Sequence, residues 1–90
     1  MSLDFGLRNV HVLITGASGG IGLEAVRTFL QVGARVTAHY NTNIGELASL
    51  SEVVSLKADV RNAADVERLF DEAAKQQGGP VSCLIVVRVG

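Results

Sequence analysis

Ninety residues with a formal charge of −1 hold one small domain, and 48% hydrophobic content is enough for a modest core. The near-neutral balance supplies no basic footprint for DNA or RNA, and no apolar run approaches the ~20 residues of a membrane span. A single cysteine, Cys83, in an apolar run reads as a packed thiol in a reducing compartment, so the expected setting is cytoplasmic; the start MSLDFGLRNV has an early acid, Asp4, and no basic segment leading into a long apolar one.

Taken in order, the chain alternates strands with helices. VHVLI, Val10 to Ile14, is β-branched and almost wholly apolar, as a strand covered on both faces should be. The run then breaks into Gly16, Gly19, Gly20 and Gly22. A helix follows from Gly20, with Ile21, Ala25, Val26, Phe29 and Leu30 as its apolar face and Gly33 placed to end it. ARVTAHY, Ala34 to Tyr40, reads as a second strand, NTN as a turn, and Glu46 to Leu50 as a short helix. VVSLKA, Val53 to Ala58, makes a third strand. The strongest helix comes next: Asn62 caps it, Val66, Leu69, Phe70, Ala73 and Ala74 form its stripe, and Gly78, Gly79 and Pro80 stop it. CLIVV, Cys83 to Val87, is the fourth strand.

This alternation predicts an α/β fold, because parallel neighbours require crossovers and the helices provide them. Right-handed crossovers place helices on both faces of a partial Rossmann-like parallel sheet of order 3-2-1-4. A ligand is then expected beyond the carboxyl ends of the strands, where the glycine turn lies. There, free backbone N–H groups and the positive end of the helix dipole suit a pyrophosphate. In this reading Gly16 permits the tight turn, Gly20 lets the backbone approach the ligand, Gly22 lets the helix pack on the strands, and Ser18 offers its hydroxyl to a phosphate or a free N–H. The spacing is neither that of G-x-G-x-x-G nor that of a P-loop, since no Lys follows, which disfavours ATP hydrolysis.

TGASGGIG, Thr15 to Gly22, resembles the T-G-x-x-x-G-I-G signature of the short-chain dehydrogenases/reductases, and ADV, Ala58 to Val60, resembles that family's adenine-contacting Asp-Val. The resemblance covers the whole chain. It implies that the Asp59 carboxylate accepts from the adenine amino group and that the Val60 N–H meets the ring, with Ile21 beside the pyrophosphate turn. The glycines also fit T-G-x-x-G-x-x-G through Gly16, Gly19 and Gly22, the pattern of the family's extended and regulatory relatives; Gly20 with Asp59 and Val60 favours the compact branch.

The end of the second strand bears on NAD versus NADP. An acid there would bond the ribose hydroxyls and repel a 2′-phosphate, but the chain has Tyr40-Asn41-Thr42-Asn43. NADP is therefore the expected cofactor, with NAD as the alternative, although Gly19 stands where NADP-preferring relatives carry Arg. His39 reads as a packing residue, with a phosphate contact as the other option.

The resemblance also implies a Ser and a Tyr-x-x-x-Lys pair for proton exchange with substrate. Neither is found: Tyr40 is the sole tyrosine, and Ile44 stands four residues on. No catalytic residue or metal ligand is assigned, His11 and His39 being isolated in strands. Where the family ends its fourth strand in an Asn-containing turn, this chain has Val87-Arg88-Val89-Gly90. The expectation is residues 1–90 as one incomplete dinucleotide-binding domain, truncated from an NAD(P)(H)-dependent oxidoreductase. Its partner would be a dinucleotide, and the open edge of the fourth strand would be available for self-association. The alternatives are a nucleotide-sensing module that never reacts and an interaction module working through that edge.

Overall fold

A computed structural model describes residues 8–87. Residues 1–7 of the start and the Arg88-Val89-Gly90 end lie outside the described residues. Four strands and two helices alternate: β1 His11–Thr15, α1 Gly20–Gln31, β2 Arg35–Tyr40, β3 Val54–Lys57, α2 Ala63–Gln77 and β4 Cys83–Val86. A 3₁₀ turn, Gly45–Ser49, stands where the short helix is expected.

The sheet is parallel throughout and runs β3-β2-β1-β4, the order the alternation predicts. β1 is central, with Val12 opposite Val36 on one side and Cys83 on the other. Its side chains alternate between two apolar layers, as the period of 2 requires. Val12 and Ile14 face Leu23 and Val26 of α1, together with Val36, Ala38 and Leu47. Leu13 points to the opposite face and packs with Ala58 and Leu69, bordered by Leu56 and Phe70. Helices therefore cover both faces.

The helix boundaries follow local chemistry. Asn62 accepts a hydrogen bond from the Asp65 N–H at 3.1 Å, capping α2, and Gly78 closes it in the left-handed region at φ 74°. On α1 one expectation fails. Ile21 does not belong to the core stripe: it is 72% exposed, and Gly22, Leu23 and Val26 are the buried residues. Gly22 and Leu23 of the same first turn are buried, so Ile21, at about 100° per residue, falls on the side of the helix turned away from the sheet. β4 also departs from a strand covered on both faces. Cys83 and Ile85 pack against the α1-side core, whereas Leu84 and Val86 are 48% and 61% exposed.

Candidate functional site

Because the strands are parallel, β1, β2 and β3 all deliver their carboxyl ends to one edge of the sheet. Three connecting segments meet there: the glycine turn after β1, Tyr40-Asn41 after β2, and Asp59-Val60 after β3. All nine residues singled out from the sequence, Gly16, Ser18, Gly20, Ile21, Gly22, Tyr40, Asn41, Asp59 and Val60, thus lie along this edge.

The turn starts at Gly16, whose φ of 63° is left-handed backbone, and a Cβ built there would stand 3.0 Å from the Val87 carbonyl oxygen. Gly22 answers to a different constraint. Its Cβ would overlap the Gly16 carbonyl and come within 2.7 Å of the Ala17 Cα, so the residue lets α1 close on the turn itself, not on the strands as the sequence suggests. Gly20 has no atom within 4 Å of its Cβ position: its outer side is open. Gly19 precedes the helix in extended conformation, and no side chain caps the helix start. A helix start without a side-chain cap leaves its first amides to be satisfied by water or an anion. Gly45 lies behind Ser18, 3.5 Å from its carbonyl oxygen as measured from the built Cβ, so the 3₁₀ segment backs the turn.

Two further constraints lie outside the motifs, the first because its partners are distant in sequence. The His39 ring accepts a hydrogen bond from the Gly16 N–H at Nδ1, 3.2 Å, and bonds the Ala58 carbonyl through Nε2 at 2.7 Å. The Asp59 carboxylate is engaged by Arg61, whose backbone N–H and Nε donate to Oδ1 at 3.0 and 3.1 Å. These bonds, the Arg61 side chain first, hold the Asp59 carboxyl below the usual carboxylate range. Oδ2 meets Arg61 only at 3.4 Å and retains accepting capacity. The Asp59 N–H in turn donates to Asp65 Oδ2 at 2.7 Å, tying the segment to the start of α2. Val60 is half-exposed beside it.

The other histidine lies at the far end of the sheet. His11 is fully buried and joins Thr37 Oγ1 at 2.7 Å and the Gly79 carbonyl at 3.0 Å, while Gln77 donates to Thr37 and to the Val36 carbonyl. This chain of bonds anchors the end of α2 under β2. Among the described residues, no three His, Cys, Asp or Glu side chains gather as a metal centre, and no helix is long and apolar enough to cross a membrane.

The model of the short chain dehydrogenase family matches residues 10–87. The chain belongs to that family. Among its curated relatives, 3-dehydrosphinganine reductase TSC10B of Arabidopsis thaliana is 37% identical over 84 residues, covering 84% of this chain and 24% of the relative. Dehydrogenase/reductase SDR family member 11 of Bos taurus is 32% identical over 86 residues, 86% of this chain and 34% of its own length. The chain thus spans about a quarter to a third of these relatives. Among solved structures, 3-ketoacyl-(acyl-carrier-protein) reductase from Brucella melitensis, complexed with NADH, superposes with a TM-score of 0.78 at 27% identity, over 87% of this chain and 33% of that one. In this short-chain dehydrogenase chain the glycine turn, the β3-β2-β1-β4 order and the Asp59-Val60 segment occur together.

Proposed function

We propose that the carboxyl edge of this sheet binds a nicotinamide dinucleotide and serves an NAD(P)(H)-dependent oxidoreductase. The observation that carries the reading is the uncapped start of α1 with open space over Gly20, on the same edge as Asp59-Val60. The pyrophosphate lies against the Gly16–Gly22 turn, where Ser18 and the Gly20 and Ile21 amides are available to it. Tyr40 and Asn41 flank the adenosine ribose. Asp59 Oδ2 accepts from the adenine amino group, and the Val60 N–H and side chain meet the ring. The bound dinucleotide supplies hydride chemistry; the residues of this chain hold and orient it.

Neutral Tyr40-Asn41, without an acid at the end of β2, supports NADP over NAD. The half-exposed Leu84 and Val86 support self-association through β4. Calorimetric titration with NADPH and NADH tests the main reading. Saturable binding is expected, tighter for NADPH, and Gly20→Val abolishes it by filling the open side of the turn. A folded wild-type chain that binds neither nucleotide refutes the reading.

A further inference from the structure

We propose that His39 is a positioning residue for the dinucleotide: without touching it, the neutral ring with its proton on Nε2 latches the glycine turn to the end of β3. The inference rests on the dinucleotide reading above. A backbone N–H can only donate and a carbonyl can only accept. The Gly16 N–H at 3.2 Å therefore requires a bare Nδ1, and the Ala58 carbonyl at 2.7 Å requires the proton on Nε2. The ring is 3% exposed, so it has no free nitrogen for a phosphate.

Two backbone bonds beside these complete the latch. The Ala17 N–H donates to the His39 carbonyl at 2.9 Å, and the Ala58 N–H donates to the Tyr40 carbonyl at 3.2 Å. One side chain thereby fixes the first residue of the turn that faces the pyrophosphate and the residue preceding Asp59, which faces the adenine. Their separation sets the span available to the ligand. Preset donors bind without the cost of ordering them, which is how a residue that never meets the ligand governs affinity.

The two ring nitrogens have different amide mimics. Asn places an acceptor near the Nδ1 position and reaches Gly16, whereas Gln places a donor near the Nε2 position and reaches Ala58. The full chain, with its histidines ¹⁵N-labelled, is examined by ring-nitrogen NMR, and wild type, His39→Asn and His39→Gln are titrated with NADPH and NADH alongside urea unfolding. We expect a bare Nδ1 and a protonated Nε2 in wild type. Each variant cuts one end of the latch, so both lose about tenfold or more in affinity, corresponding to one ordered hydrogen bond, while His39→Asn keeps a protected Gly16 amide and His39→Gln exchanges its Gly16 amide faster. Wild-type affinity in either folded variant, or a proton on Nδ1, overturns the latch. The wild-type spectrum decides the tautomer whether or not a variant folds. Should wild type bind neither nucleotide, the dinucleotide reading falls by itself, and Gly16 exchange in the two variants still decides the latch.

Discussion

Gly20 and Gly22 stand two residues apart and answer to opposite surroundings. A methyl group on Gly22 meets the backbone of Gly16 and Ala17, which has no rotamer by which to yield, whereas one on Gly20 meets nothing within 4 Å. Gly22→Ala is expected to destabilise the fold by about 1–3 kcal/mol through overpacking. Gly20→Ala leaves stability equal or raises it by up to about 1 kcal/mol, because alanine is the better helix former, yet it weakens dinucleotide binding. Urea unfolding and calorimetry on both variants separate the two effects; equal destabilisation by both would contradict the open turn. The glycine pattern is legible in the sequence because backbone geometry and close approach are local demands. The latch is not, since His39 stands 23 residues from Gly16 and 19 from Ala58, and only the register of β1, β2 and β3 brings them together.

At the scale of the element, the start of α2 joins fold and candidate site. Asn62 caps the helix, and Asn62→Ala is expected to cost about 1 kcal/mol in denaturant unfolding. Asp65, in the first turn, accepts from the Asp59 N–H and pairs with Arg68 at 3.1 Å; these partners, the Asp59 N–H first, hold its carboxyl below the usual carboxylate range. Because the folded-state value lies below the unfolded one, about 3.9, the stabilisation is complete above that pH and is lost as pH falls through the folded value. Asp65→Asn therefore lowers Tm at pH 7, and the two proteins converge in acid; a constant difference across the range would assign the effect to packing instead. Asn62 and the Gly78 stop are readable in advance because caps are written in single residues. Ile21 illustrates a complementary limit: apolar residues at helical spacing admit two neighbouring phases, and the buried face of α1 is the one centred on Gly22, Leu23 and Val26.

For the whole molecule, the sheet order governs how stability is distributed. β1 has parallel partners on both sides, and Val12, Leu13 and Ile14 are wholly buried between two apolar layers. β4 pairs only with β1 among the described residues and leaves Leu84 and Val86 half-exposed beside an apolar groove of about 210 Å³ lined by Val60, Val66, Leu69 and Phe70. The order was legible because parallel strands joined by helices admit few topologies. The one-sided cover of β4 was not, because an apolar run carries no mark of which face a helix reaches. Native-state hydrogen exchange should therefore be slowest in β1 and fastest, among the four strands, in β4, which opens without disturbing the rest. Dilution distinguishes an intrinsic edge from an occupied one. Fast exchange at every protein concentration describes a lone edge, whereas protection that grows with concentration, and is abolished by Leu84→Lys, describes an edge that pairs with a second copy. Protection of β4 equal to that of β1 in dilute monomer would contradict the sheet order itself, because no outer strand lacking a second partner can match one held from both sides.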